Sequence, residues 1–267
     1  MDTKVIIVLI MAFIVNFIAM LSYSARTAGI NTGKMAVANS IFNVFNLGSR
    51  AAGAFQAPFL AKTVENAIGS NNTFNLLIIF RYILLSTALG SICGAIFIPT
   101  FQRILCKAIE SFNTHRSIPK LMLHGFSKSG IVQFKRCIKI PSRQSIKQLK
   151  RFERMPKKII LFNIIATALV STGSISSIYA GVLNTELRTT CTTLSSVVNG
   201  LAIILLYIFI DPNLSMMTDD VILGKRTESD FRRCTMFMVS GRILGTIAAQ
   251  LLLVPAAILI SHIASII

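Results

Sequence analysis

Six apolar runs set the terms for this chain: Val5–Leu21, Met35–Leu60, Phe74–Ile98, Ile159–Leu183, Leu194–Ile210 and Met236–Ile267. Each is near the roughly 20 residues that an α-helix needs to cross a bilayer. In lipid, a helix satisfies every backbone N–H and C=O within one segment. The expectation is therefore an all-α, polytopic membrane helix bundle of about six transmembrane helices. Hydrophobic residues make up 53% of the chain and charged residues 14%, with a mean hydropathy of +0.68, which excludes an ordinary soluble domain. Val5–Leu21 is read as a span and not a cleaved leader, since only Lys4 gives it a positive flank and its apolar run exceeds the usual leader core.

The runs form two groups of three, spans one to three in residues 1–98 and spans four to six in 159–267, separated by a basic segment, residues 99–158. A net charge of +17 suggests nucleic acid at first sight, but membrane sidedness sorts the 27 Lys and Arg better. Fifteen lie between Thr100 and Lys158, two more are Arg26 and Lys34 after span one, and four are Lys225, Arg226, Arg232 and Arg233 before span six. Only Lys4, Lys62 and Arg188 fall on the other side. With the basic loops in the cytoplasm, both termini are expected to be extracytoplasmic. Within the basic segment, Phe101, Ile104, Leu105, Ala108, Ile109 and Phe112 make one amphipathic helix, and Ile146, Leu149, Phe152 and Met155 make the stripe of a second. Both are expected to lie in the interface against anionic membrane lipids, each juxtamembrane Lys or Arg contributing about 1 kcal/mol. Nucleic acid is not expected as a partner, because stacking aromatics are few and no nucleic-acid motif is present.

The second span carries the most informative polar residues. Asn39, Asn43, Asn46 and Arg50 recur at steps of four, three and four, so they share one helix face, which Gly53 and Ala57 continue. Ile41, Phe42, Val44, Phe45, Leu47 and Phe55 occupy the other faces. An arginine near mid-bilayer costs roughly 2.5–3.5 kcal/mol on insertion scales, so the seam is read as a site for something anionic; the rival reading is a seam that only joins helices. Arg26, Arg81 and Arg242 lie in or beside other spans, and no acidic residue sits deep in a span to neutralise them. Guanidinium forks suit phosphate and pyrophosphate oxygens, so an anionic headgroup is a plausible missing partner. Arg81 and Arg242 lie near their span starts and have snorkelling as an alternative.

Span four is expected to be interrupted at Ser171-Thr172-Gly173-Ser174 and Ser176-Ser177, as broken transporter helices are; the alternative is that these hydroxyls bond back to their own helix. Gly90-Ser91-Ile92-Cys93-Gly94 and Gly241-Arg242-Ile243-Leu244-Gly245 allow close helix approach, within the chain sooner than across a dimer. Ala28-Gly29-Ile30-Asn31-Thr32 resembles Ala180-Gly181-Val182-Leu183-Asn184-Thr185 one residue out of step, a match read as coincidence and not as the trace of an inverted repeat. Asp211-Pro212 is read as a helix terminator. There is no phosphate-binding loop, no HExxH and no metal-ligand grouping around His115, His124 or His262. The five cysteines show neither pairing nor zinc spacing. No metal, cofactor or catalytic residue is expected.

Read in order, Leu21-Ser22-Tyr23-Ser24-Ala25-Arg26-Thr27-Ala28-Gly29, Ser40-Ile41-Phe42-Asn43, Ser49-Arg50 and Gln56-Ala57-Pro58 resemble the Amj family of bacterial lipid II flippases. Ser171-Thr172-Gly173, Tyr179-Ala180-Gly181, Val198-Asn199-Gly200, Asp211-Pro212 and Asp219 followed by Gly224 extend the likeness over nearly the whole chain, although Gly53 stands where an asparagine is expected. The resemblance implies a multi-pass protein of the bacterial plasma membrane, with no ATPase motif, that carries undecaprenyl-pyrophosphate-linked disaccharide-pentapeptide from the inner to the outer leaflet. It implies that Arg26, Arg50, Arg81 and Arg242 bind the pyrophosphate, that Asn39, Asn43, Asn46 and Gln56 contact sugar or peptide, and that Ser22, Tyr23, Asn199 and Asp211 belong to the binding set. Ser171, Gly173 and Pro58 are the conformational candidates. Six spans around so large a headgroup make a homodimer physically attractive. Two other functions fit the residues alone: a membrane enzyme acting on polyprenyl phosphates, and a small-anion secondary transporter.

Overall fold

A computed structural model describes residues 3–69, 74–115 and 157–267. Among them the elements are α1 (Thr3–Leu21), α2 (Tyr23–Thr32), α3 (Met35–Gly69), α4 (Phe74–His115), α5 (Lys157–Leu183), α6 (Arg188–Leu205), a π-helical turn (Leu206–Ile210), α7 (Asp211–Ile222) and α8 (Glu228–Ile266). Five stretches are long and apolar enough to cross a membrane: Thr3–Thr32, Asn75–Glu110, Lys158–Leu183, Arg188–Ile222 and Glu228–Ile266. The sixth leg, α3, is 35 residues long but less apolar than these, because the asparagine seam runs through it. Residues that suit turns end the legs. Gly33 closes α2 at φ 68°, its N–H bonded to the Ile30 carbonyl, a left-handed cap at little steric cost to glycine. Thr227 opens α8 with a reciprocal capping box to Asp230, satisfying two otherwise orphaned donors.

In each half the first leg packs against the second and third: α1 lies on α3 and α4, and α5 lies on α6 and α8. Glycines set the closest approaches. A Cβ on Gly90 would strike the Phe13 carbonyl, and one on Gly245 would sit 2.7 Å from the Ile164 carbonyl oxygen. Both GxxxG motifs are thus used inside the chain, as small-residue motifs are where backbones must meet.

Three expectations change. Span four is not interrupted: α5 runs unbroken from Lys157 to Leu183, because Thr172, Ser176 and Ser177 bond back to the carbonyls of Ala168, Thr172 and Gly173, satisfying the hydroxyls within the helix. Asp211-Pro212 does not end span five: the helix passes from α6 through the π-helical turn Leu206–Ile210 into α7 and continues to Ile222, so the irregularity lies here instead. Pro212 lacks an N–H and its ring crowds the carbonyl four residues back, so the ladder widens there, and the Asn213 amide takes up the Phe209 carbonyl at 2.7 Å. The first amphipathic stripe of the basic segment does not lie on a membrane surface. It is the end of α4, and Leu105 and Ile109 are buried against Ala25, Ala28, Ala38 and Ile41. The second stripe, Ile146 to Met155, lies outside the described residues.

Candidate functional site

The polar face of α3 is largely exposed. α3 is held to α1 and α2 by its other faces, and it is not packed against α6, which rests on α5. Ser49 fixes the register by donating to the Val15 carbonyl at 3.0 Å. With Ser49 turned inward, Asn39, Asn43 and Arg50 are exposed and Asn46 is half-buried.

Arg26 sits at the foot of this seam. α2 buries it to 9% exposure, its Nη2 donates to Asp211 Oδ1 at 3.1 Å, and its guanidinium carbon lies 4.4 Å from the centre of the Phe42 ring. Arg26 Nε and Nη1 are buried and have no hydrogen-bond partner among the described residues. Burial this complete would be unfavourable for a lone cation, and the carboxylate and the ring face are what hold it. Asp211 follows the π-helical turn without a break, its backbone N–H bonded to the Leu206 carbonyl. Each buried donor left unbonded costs about 1–3 kcal/mol, so the site has an unmet demand for acceptor oxygens.

Arg50 lies two turns further along α3 than Phe42, about 12 Å by helical rise. Its Nη2 lies 3.4 Å from the Tyr207 hydroxyl, and its guanidinium carbon 6.0 Å from that ring's centre. Tyr207 is in the π-helical turn, so the wider turn presents this ring to α3. Both side chains are exposed, which leaves Arg50 open to further partners. On α6, Asn199 donates to Ser174 Oγ at 3.1 Å, while its Oδ1 is buried and has no hydrogen-bond partner among the described residues. That oxygen lies 2.6 Å from where a Cβ on Gly173 would be, so Gly173 serves the approach of α5 and α6.

The other expected residues are placed differently. Gln56 turns to α1, its amide at 3.5 Å from the Val8 carbonyl. Ser22 is buried and bonds to the Ala19 carbonyl at 2.8 Å, and Tyr23 packs on the cluster containing Ile210, Leu214 and Phe231. Arg81 is exposed on α4, and its carbonyl accepts from Gln250 at 2.8 Å. Arg242 is half-buried, with Nε buried and unpartnered. Among the described residues, no hydrogen bond joins either arginine to the seam. Ser171 is half-buried on α5, and Pro58 lies exposed within α3. Phe42 and Tyr207 were missed by sequence reasoning. Phe42 gave no signal among its apolar neighbours, whereas a tyrosine inside an apolar run, four residues before Asp211, was one.

A family model described as "Amj: Alternate to MurJ" matches residues 11–264. A curated relative, the lipid II flippase Amj of Bacillus subtilis (strain 168), is 32% identical over 256 residues, covering 96% of this chain and 94% of the relative. No solved structure matches the chain.

Proposed function

The chain belongs to the Amj family, and from that premise we propose that it is a transporter that moves lipid II from the inner to the outer leaflet of the bacterial plasma membrane and leaves it chemically unchanged. The observation that carries this reading is Arg26, a buried guanidinium beside the polar seam with two nitrogens that have no hydrogen-bond partner among the described residues. A pyrophosphate offers the acceptor oxygens that this fork lacks, in a surrounding of low dielectric where the contact is strengthened. Arg50 is the next cation along the path. Asn39, Asn43 and Asn46 supply amides for the sugars and peptide. The polyprenyl tail stays in lipid, which the open side of α3 permits, since Leu47 and Phe55 on its flanks are exposed.

The orientation proposed with this reading puts the Gly33 and Gly224 turns in the cytoplasm and both termini outside, on the distribution of Lys and Arg. Arg26 then lies on the side from which lipid II is supplied, and Asp211 is the anion that occupies it until the pyrophosphate arrives.

The test is transfer in proteoliposomes carrying the purified chain and lipid II with a fluorophore on its peptide. Quenching from outside reads the fraction exposed, before and after transfer is allowed. Protein-dependent exposure that Arg26→Ala abolishes supports the reading. No exposure with correctly inserted, folded wild-type chain contradicts it, as does an altered lipid recovered from the vesicles.

A further inference from the structure

Two core clusters at opposite ends of the bundle are built from corresponding residues of the two halves. One contains Phe80, Ile83 and Leu60, with Val182 packed on it; the other contains Phe231, Cys234 and Leu214, with Ile30 packed on it. Phe80 pairs with Phe231, Ile83 with Cys234, Leu60 with Leu214 and Val182 with Ile30, at offsets of 151 to 154 residues. The remaining two clusters keep to the same range, with Ala28, Ala38 and Leu105 in one and Ala180, Cys191 and Ala257 in the other. The close-approach glycines obey it too. Gly90 and Gly241 each press the third leg of their half onto its first. Gly29 and Gly181 each sit beneath the start of the following leg, a Cβ on one meeting Met35 and on the other Arg188.

We infer that residues 3–115 and 157–267 are an inverted repeat, and that two matching plugs, the end of α2 set against α7 and α8 and the end of α5 set against α3 and α4, are alternate gates on one path. In the first, Tyr23 and Ile30 pack on Ile210, Leu214, Phe231 and Cys234. In the second, Ile178, Tyr179 and Val182 pack on Leu60, Val64 and Phe80, with Tyr179 edge-on to Phe80 at 5.7 Å between ring centres. The match of Ala28–Thr32 to Ala180–Thr185 is then a remnant of the repeat and not a coincidence. Halves of opposite topology that meet through equivalent contacts rock about the path between them, so that opening one end closes the other. The plugs differ in one respect. Arg26 corresponds to Ile178 and, in the register that pairs Leu60 with Leu214, Asp211 corresponds to Ala57, so the ion pair holds only the α2 gate. An arriving anion that takes Arg26 from Asp211 releases that gate alone, which gives the path an entrance. This gating rests on the transport reading, and its test uses no lipid II.

Ile30→Cys and Val182→Cys, each in a background whose five native cysteines are alanine, report the two gates through their labelling rate by an impermeant maleimide in detergent. Asp211→Asn is expected to raise labelling at position 30 and lower it at position 182, each by about fivefold or more, the size of a typical coupling between sites. Tyr179→Ala is expected to do the reverse. Rates that rise together, or a change confined to the altered end in both variants, would overturn the alternation. Reciprocal labelling in a chain that does not transfer lipid II would leave the gates standing and remove the substrate reading.

Discussion

Arg26 and Asp211 stand 185 residues apart in sequence and 3.1 Å apart in space, and they join the first half of the chain to the second. The carboxylate uses one nitrogen of the guanidinium and leaves two with no hydrogen-bond partner among the described residues, so the pair neutralises the charge without filling the fork. An ion pair of that kind is open to exchange by a better anion, and such exchange is the central step of the account.

Stability and transport separate at this pair. Removing one partner of a buried pair leaves an uncompensated charge, and Asp211→Leu is expected to destabilise the chain by about 3 kcal/mol, somewhat less than a fully buried pair because Asp211 is partly exposed. Arg26→Leu with Asp211→Leu is expected to restore the melting temperature in detergent, since apolar replacement of both partners is often neutral or stabilising, while transfer of lipid II stays lost. Recovery of transfer by the double variant would show that the pair is only structural.

The hydroxyls of α5 are predicted to be dispensable. Ser176 and Ser177 are buried and bonded within their own helix, so Ser176→Ala and Ser177→Ala each remove a hydroxyl donor and leave a carbonyl inside the helix, at a cost of about 1 kcal/mol each. Transfer rates within about twofold of the native chain are expected in the proteoliposome assay. A tenfold loss in either would revive a hinge in span four.

Glycines in α6 and α8 are predicted to differ sharply. A Cβ on Gly245 would meet the Ile164 carbonyl oxygen and Thr167 Cβ, both at 2.7 Å, whereas one on Gly200 would meet nothing within 4 Å. Gly245→Ala is expected to cost about 1–3 kcal/mol by overpacking, and Gly200→Ala to gain up to about 1 kcal/mol from helix propensity. Thermal melting followed by size-exclusion chromatography reads both.

What could be read from the sequence follows from the range of each interaction. The spans and the α3 seam are local, set by apolar length and by spacing of three and four, and α3 presents Asn39, Asn43, Asn46 and Arg50 as that spacing requires. The partner of Arg26 was not legible, because Asp211 beside Pro212 carries the local signature of a helix terminator whatever it faces. The same limit hid the fate of the Phe101–Phe112 stripe. Periodicity reveals that a face must be covered but not whether lipid headgroups or, as here, α2 and α3 cover it. In α5 the residue types were read correctly and their consequence was not, since a serine that bonds to its own helix has the same letters as one that breaks it. The repeat was obscured because its halves keep positions and apolar character and not identities, as Ile83 and Cys234 illustrate.

The roles of Arg50 and Tyr207 are predicted to be unequal. Tyr207→Phe keeps the ring and loses a hydroxyl at 3.4 Å from Arg50, a long contact between exposed groups, so a loss of less than about threefold in transfer is expected. Arg50→Lys keeps the charge without the fork and is expected to be intermediate between that variant and Arg50→Ala.

The most direct measurement is made in cells whose only lipid II flippase is this chain, scored by cleavage of surface-exposed lipid II with an externally added lipid II-degrading toxin. The account predicts cleavage with the native chain and its loss with Arg50→Ala present in the membrane at normal level. Full cleavage with Arg50→Ala would contradict passage along the seam, and no cleavage with native, inserted chain would contradict flipping itself.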